Sequence, residues 1–299
     1  MIDHLVLNYS WYIATVCLII PQIWFLNWTN KYARYFYINC LIRGFFPRVD
    51  VSRTCFFGGF ISSVIVGRTL ATIGELSLVV CIQNYIKQNL LVYRRYQRHS
   101  FMSVFIVTML VLINYLVFFL AVMAEVYSWT SVIYRNNNYH VYEECLWLFM
   151  GVYTFLMSLF FRESIPGDKN IKFNNQMCII TLFYIIYMLL IDIPRYQQRA
   201  LDQAPPVSFD VGFWELFECQ KISQISSDYG IAFHFLYFGI APYILDRIVF
   251  KTWVIEHSFS RNIWFLMKIH LKSYFKKNAE LQKKKENQSQ VSERFIKIR

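Results

Sequence analysis

Six long apolar segments constrain this sequence more than any other feature. They cover residues 5–28, 56–86, 101–124, 142–161, 177–193 and 231–250. A helix of about 20 apolar residues spans the hydrocarbon core of a bilayer. Of the 299 residues, 56% are hydrophobic and 19% are aromatic, which is typical of a chain in lipid. The sequence therefore predicts an all-α integral membrane protein, a bundle of about six transmembrane helices.

Shorter segments of mixed character accompany these spans. Residues 35–46 are too few to cross a bilayer and predict an interfacial or re-entrant helix that Pro47 ends. Pro194 is expected to close the fifth span for the same reason. The aromatic loop 195–229 suits an interfacial helix or docking surface, or a loop that caps the bundle. Residues 252–275 mix aromatic and basic side chains, as amphipathic helices on membrane surfaces do.

The chain divides on this basis into a helical bundle, residues 1–250, and a basic region with a polar tail, residues 251–299. The second region holds most of the formal net charge of +11. Basic side chains among aromatics also occur in nucleic-acid-binding proteins, but a chain this apolar favours anionic lipid headgroups or an acidic protein face. We therefore expect membrane lipids and other membrane subunits as partners, and no nucleic acid. The candidate lipid- or partner-binding residues are Arg261, Lys268, Lys272, Lys276 and Lys277.

Basic residues also predict the orientation of the bundle. They follow the second, fourth and sixth spans, and the positive-inside rule places that side, with both termini, in the cytoplasm or a matrix-like compartment. A second basic group falls on the opposite side, in the first loop between the first and second spans. We expect this group to be partly buried and satisfied by acidic partners; it comprises Lys31, Arg34, Arg43, Arg48 and Arg53.

Two opposite charges, Arg68 and Glu75, lie inside the second apolar segment. A charge near the bilayer centre costs about 2.5–3.5 kcal/mol on insertion scales, so it normally faces the protein interior and has a partner. Seven residues put the two on one helix face, about 10.5 Å apart along the axis. Because side chains lean toward the helix N-terminus, Arg68 leans away from Glu75. We therefore expect each to meet a group on another helix.

Further polar residues in or at the ends of the spans complete a candidate intramembrane network. It could be an ion-pair network that fixes helix register, a path for protons, ions or substrate, or an anchor for a lipid headgroup. Two of its residues, the adjacent Glu143 and Glu144, also have a simpler explanation, because acidic groups at a helix N-terminus are favourable against the helix dipole. The network comprises Arg68, Glu75, Glu125, Glu143, Glu144, Asp192 and His234.

Motifs of known chemistry are missing from the sequence. It has no glycine-rich nucleotide loop, nucleophile elbow or HExxH pair, and glycines such as Gly67 and Gly74 are expected to serve helix packing. Its seven cysteines lie singly, without CxxC spacing, so we expect neither disulfides nor zinc. Because His234 is the one histidine well inside a predicted span, a haem held by two such histidines is not expected. We predict no catalytic residues, no metal and no cofactor.

Two stretches carry a resemblance. Residues 43–55 read R-x-x-x-P-R-x-D-x-x-R-x-C, and residues 62–76 read SSVIVGRTLATIGEL. The pattern resembles a group of multi-pass membrane proteins with no assigned activity. Later pieces fit it, among them Glu143-Glu144-Cys145-Leu146-Trp147 and Asp192-Ile193-Pro194-Arg195-Tyr196. The resemblance covers roughly residues 40–250 and implies a shared bundle with a common internal polar network. It implies no mechanism.

These observations favour a non-catalytic accessory subunit of a larger membrane complex, such as a respiratory-chain-type assembly of the mitochondrial inner membrane. The missing motifs, the many aromatic side chains and the basic extension support this hypothesis. The alternative is a transporter or proton-coupled membrane enzyme that uses the Arg/Glu/Asp network as an internal path.

Overall fold

The computed structural model describes residues 12–24, 31–96, 101–221 and 239–244, and these residues are mainly helical. They belong to the first of two units into which the chain divides, Met1–Val249. The helices are α1 (Tyr12–Ile23), with a 3-10 turn over Ile20–Trp24, α2 (Lys31–Phe45), α3 (Val64–Tyr96), α4 (Phe101–Tyr134), α5 (Asn137–Ser164), α6 (Asp168–Tyr187), α7 (Ile193–Leu201) and α8 (Phe209–Trp214).

Four helical segments in the described part of the chain are long and apolar enough to cross a membrane: Val64–Arg94, Val104–Tyr134, Asn137–Ser164 and Asn170–Leu201. They confirm the all-α fold and indicate a multi-pass membrane protein. Within the part of the chain that the structure describes, the predicted count of six is not reached. The described part of the first expected span is α1, which is shorter, and the sixth lies mostly outside the described residues.

The expected end of the fifth span at Pro194 is wrong. Helix α6 continues through a single π turn, Met188–Asp192, directly into α7, and Pro194 occupies the first turn of α7. A proline is tolerated in a first helical turn, and a π turn is a common way to pass an irregularity within a long helix. The chain therefore stays helical up to Leu201.

The other helix ends follow local signals. Helix α5 begins earlier than expected because Asn136 caps it: the Asn136 side chain accepts a hydrogen bond from the Asn138 backbone N–H at 3.0 Å. Helix α2 ends at Phe45, just before Pro47. The predicted amphipathic helix over residues 252–275 lies outside the described residues.

Helix α5 is central, since it packs against α3, α4, α6 and α7. The largest apolar core lies among α3, α4, α5 and α6 and includes Tyr85, Phe161 and Phe173. A second core joins α2 to α1 and α3. The outer faces of α4 and α6 are also apolar: Phe119 is 58% exposed and Phe183 is 69% exposed. Such faces suit contact with lipid or with another membrane subunit.

Short connections make the four long segments run antiparallel, so the loops gather at two ends. We call the end formed by residues 46–63, 135–136 and 202–221 the disulfide end. A small sheet lies there, in which β2 (Thr54–Cys55) pairs antiparallel with β1 (Arg48–Val49) and parallel with β3 (Gln220–Lys221). The other end carries the α5–α6 turn, residues 165–167.

Candidate functional site

A buried arginine lies at the centre of a charge network near the disulfide end. Arg68, on α3, is 5% exposed. Its Nη1 lies 3.8 Å from Asp50 Oδ2, and its Nη2 lies 3.5 Å from Glu75 Oε2. The same Nη2 lies 3.4 Å from Glu125 Oε2 and 3.4 Å from Glu143 Oε1. One guanidinium group thus joins the loop before α3 to α3, α4 and α5.

Two further arginines complete the cationic part of the network. Arg43, on α2, lies 3.8 Å from Asp50 and 3.7 Å from Glu75. Arg48 Nε lies 3.3 Å from Asp50 Oδ1, and Arg48 also donates to the carbonyls of Ile61 and Ser63. These contacts match the expectation of buried arginines with acidic partners for Arg43 and Arg48, whereas Arg34 is exposed.

Glycine makes room for one of these arginines. The guanidinium of Arg48 lies against Gly67, and a Cβ added at Gly67 would overlap the Arg48 side chain. On the same face of α3, a Cβ at Gly74 would lie 2.6 Å from Asn39 Cβ on α2. Gly67 and Gly74 therefore serve close packing, as expected from the sequence. The space around Gly58 is open, because nothing lies within 4 Å of a Cβ built there.

Neighbouring polar groups fix the orientation of two glutamates. The Thr72 hydroxyl donates to Glu125 Oε2 at 2.6 Å, and Trp129 Nε1 donates to the Thr72 oxygen at 3.0 Å. On α5, His140 Nδ1 lies 2.6 Å from Glu143 Oε2. A neutral imidazole with its proton on Nδ1 satisfies this contact as well as an imidazolium does.

The environment of Asp50 shows how the network controls ionisation outside the spans. Burial alone would raise the pKa of the Asp50 carboxyl, but Arg48, Arg43 and Arg68 outweigh it and hold that pKa below its ordinary value. Asp50 is therefore an anion at neutral pH. As the one acidic residue of the loop 46–63, it ties that loop to α2 and α3.

A second acidic pair lies next to the network. Asp192, in the π turn, is 6% exposed and interacts electrostatically with Glu144 of α5. The Tyr187 hydroxyl donates to Asp192 Oδ1 at 3.4 Å, and Arg195 is the nearby cation. The π turn thus brings Asp192 to the face of α5 that carries the glutamates.

The structure places the sequence-predicted network residues as follows. Arg68, Glu75, Glu125 and Glu143 are in direct contact, Glu144 and Asp192 lie beside them, and His234 is outside the described residues. As expected, each of the two has a partner on another helix: Arg68 contacts Glu125 and Glu143, and Glu75 contacts Arg43. The direct pair of Arg68 with Glu75, expected to be marginal, also forms, at 3.5 Å. Glu75 leans toward the helix N-terminus and so toward Arg68, and the long arginine side chain bridges the remaining distance.

Sequence reasoning missed Asp50 and His140. Asp50 lies in the loop 46–63, between two arginines in the sequence, and charged residues are common in loops. His140 offered a signal: it precedes Glu143 by three residues, a spacing that places both on one helix face. The predicted span begins at residue 142 and therefore excludes His140.

The expectation of no disulfide is also wrong, since Cys55 and Cys219 are bonded, with their Cα atoms 5.9 Å apart. The two cysteines are separated by 164 residues, so no spacing motif in the sequence predicts that they pair. Pairing of β2 with β3 brings them together. Cys17, Cys40, Cys81, Cys145 and Cys178 are not disulfide-bonded.

A buried arginine holds the disulfide end together beside this bond. Arg53 donates to the carbonyls of Val132 at 2.7 Å and Gly212 at 3.1 Å. Burial and then repulsion from Arg135 lower the pKa of Arg53 to about 10. Its backbone φ is 54°, a left-handed conformation that these bonds stabilise. Gly212 is needed here, because a Cβ would overlap the Ile133 carbonyl. The loop 202–221 thus caps the bundle.

The described residues contain no group of three His, Cys, Asp or Glu side chains arranged to hold a metal ion. The predicted lipid-binding residues Arg261, Lys268, Lys272, Lys276 and Lys277 lie outside the described part of the chain. No family model, curated protein or solved structure matches the chain.

Proposed function

We propose that this protein is a non-catalytic accessory subunit of a larger membrane protein complex. One observation carries the proposal: the Arg68 guanidinium is surrounded by four carboxylates of its own chain. Charges that face one another in this way hold a loop and three helices in a single arrangement. This use of the charges is structural and needs no substrate.

The orientation of the bundle supports a membrane that faces an oxidising compartment on one side. The Cys55–Cys219 bond lies at the disulfide end, and structural disulfides persist where thiols are not kept reduced. Arg94, Arg162 and Lys172 flank the opposite end, where the positive-inside rule expects them. Two independent features therefore favour the same orientation.

The mitochondrial inner membrane meets both conditions, with the disulfide end in the intermembrane space and the basic end in the matrix. We propose this membrane, and a respiratory-chain-type assembly within it. Anionic lipid headgroups are the proposed partners of the basic C-terminal region, and neighbouring subunits are the proposed partners of the apolar outer faces. On this proposal, the group that the sequence resembles shares the charge network as a structural feature.

Native electrophoresis after extraction in a gentle detergent tests the proposal. We expect the wild-type protein to migrate with other subunits in a complex. Arg68→Met should lose this migration, whereas Arg162→Met should keep it because Arg162 forms an exposed pair with Glu163. Migration of the wild-type protein as an isolated monomer would contradict the proposal. Fractionation of organelles tests the location separately, and recovery in the plasma membrane would contradict the mitochondrial assignment.

The excess of carboxylates favours a second candidate function, a transporter or a proton-coupled membrane enzyme. Glu144 and Asp192 extend the acidic groups from the network to the π turn. Such a row of carboxylates is a common element of proton paths. Glu75→Gln separates the two functions. Normal assembly with loss of flux or turnover would support the path, and loss of assembly would support the structural role.

A further inference from the structure

The start of α1 and the end of α2 lie together at the disulfide end. The Tyr12 hydroxyl, at the start of α1, donates to the carbonyl of Phe45, the last residue of α2, at 3.1 Å. The centroid of the Tyr12 ring lies 5.4 Å from that of Phe56 and 5.9 Å from that of Phe57. Phe56 and Phe57 belong to the loop 46–63, which is part of the disulfide end. Helix α1 therefore starts where α2 finishes.

The other ends of α1 and α2 lie deeper in the bundle. Ile19 of α1 belongs to the same apolar core as Ala33 of α2 and Cys81 of α3. Helix α3 starts at the disulfide end with Val64, and at about 1.5 Å per residue Cys81 lies about 26 Å further along its axis. The 3-10 turn at the end of α1 also contacts α2. Helix α1 thus runs away from the disulfide end, and α2 runs back toward it.

Residues of the sixth predicted span pack against the deep part of α1. The buried side chain of Gln22 donates to the Gly239 carbonyl at 3.0 Å, and the Tyr243 hydroxyl donates to the Leu18 carbonyl at 2.8 Å. Such bonds satisfy backbone carbonyls inside a bundle, where lipid offers no donor. The deep part of α1 is therefore enclosed by other helices and does not lie along the surface of the disulfide end.

We propose that α1 and α2 form a hairpin that enters the membrane at the disulfide end and returns to that end. The start of α1 then lies on the same side of the membrane as the Cys55–Cys219 bond, and the basic end lies on the other side. Two antiparallel legs bring the chain back to the side from which it came, whatever depth the turn between them reaches. A partner that recognises the start of α1 must therefore reside in the compartment that the disulfide faces.

The hairpin reverses one part of the orientation expected from the sequence. That orientation counted residues 5–28 as one complete span and α2 as part of the following loop, so it placed both termini with the basic end. A second helical leg, α2 (Lys31–Phe45), changes the side of the start of α1. The inference does not rest on the proposed function, because an accessory subunit and a transporter can both have this arrangement.

The hairpin also accounts for the basic residues that the sequence placed on the opposite side. Lys31 and Arg34 lie in the first turn of α2, which is remote from the disulfide end. Arg43 and Arg48 belong to the charge network, and Arg53 binds backbone carbonyls in the cap. The positive-inside rule concerns basic residues in loops that remain in water. These five residues therefore do not oppose the orientation that the basic end indicates.

Labelling with a membrane-impermeant maleimide tests the proposal on the full chain. Sealed vesicles of the native membrane are used, in which all copies have one orientation. The three reporters are a cysteine in a tag fused ahead of residue 1, Ala204→Cys in the exposed part of the disulfide end, and Asp168→Cys at the exposed start of α6. Only 11 residues precede Tyr12, fewer than the roughly 20 of a further helical span, so the tag reports the side on which α1 starts. Peptide mass spectrometry locates each label, and labelling after detergent gives the total.

We expect the tag cysteine and Ala204→Cys to be labelled or protected together in intact vesicles, and Asp168→Cys to show the opposite result. Pro205→Cys and Glu163→Cys, both at exposed positions, repeat the comparison if a reporter variant does not fold. A tag cysteine that follows Asp168→Cys would overturn the proposal. Equal labelling of Ala204→Cys and Asp168→Cys in intact vesicles would also overturn it, because the membrane would then not separate the two ends of the bundle.

Discussion

Replacing Arg68 by methionine removes the cation that four carboxylates share while keeping a long apolar stem. At an effective dielectric constant of about 20, a pair of charges 4 Å apart attracts by about 4 kcal/mol. Arg68 makes four contacts of 3.4–3.8 Å, but the acids repel one another and were themselves removed from water. Removing one partner of a buried ion pair costs about 3–5 kcal/mol, and we expect Arg68→Met to fall in this range.

The assay is equilibrium unfolding of the purified protein in mixed micelles, followed by tryptophan fluorescence. Arg162→Met is the matched control, because its pair with Glu163 is exposed and should contribute less than about 1 kcal/mol. Adding Glu125→Gln to Arg68→Met neutralises one of the carboxylates that the first substitution leaves without a cation. The double variant should therefore be more stable than the sum of the two single effects predicts. Equal stability of Arg68→Met and Arg162→Met would refute a network that depends on Arg68.

Three further substitutions test separate parts of the structure. Gly67→Ala should displace the Arg48 guanidinium and lower the melting temperature in the same micelles, whereas Gly58→Ala, in open space, should leave it nearly unchanged; equal effects would contradict the packing described. Cys55→Ser should lower the free energy of unfolding by about 2–5 kcal/mol and leave Cys219 open to a thiol reagent, whereas modification of Cys55 or Cys219 in the wild-type protein, located by peptide mass spectrometry, would argue against the bond. Asp50→Asn should lower the free energy of unfolding at pH 7. Because the pKa of Asp50 is lower in the folded than in the unfolded protein, its charge adds stability above the unfolded-state pKa, and this stability is lost as the pH falls through the folded-state pKa. The difference in free energy between the variant and the wild-type protein should therefore shrink below about pH 3.9. A deficit that does not change with pH would show that the charge of Asp50 is not what stabilises the fold.

The sequence was sufficient to find most of the network because charged residues are conspicuous in apolar segments. Arg68, Glu75 and Glu125 stood out for this reason, and their contact confirms that such residues turn inward. Asp50 carried no such signal, since it lies in a polar loop where charge is ordinary. Its role depends on where α2 ends and α3 begins, which is a property of the packed structure.

The helix ends and the disulfide show two other limits of sequence reasoning. Helix α3 continues to Tyr96, ten residues past the predicted span end, because a helix does not stop where its composition turns polar. Passage of the chain through Pro194 required a π turn, which no local pattern specified. The bond between Cys55 and Cys219 depends on the pairing of two-residue strands far apart in the chain. Such short strands carry too few residues for a periodic signal.

The physics of helix association in a bilayer explains why a network that is costly to bury would be kept. Lipid tails are as apolar as leucine, so apolar side chains alone do not distinguish a neighbouring helix from lipid. Close approach at small residues and polar contacts between helices make that distinction. The structure uses both: a Cβ at Gly151 would lie 2.8 Å from Tyr184 across the α5–α6 contact, and Tyr85 of α3 donates to Asn174 of α6 at 2.6 Å. Arg68 makes polar contacts between helices of the same kind near the disulfide end. Its guanidinium meets all four carboxylates only when the loop before α3, α3, α4 and α5 are in register together, so a slip of any one helix by a turn would strand a charge.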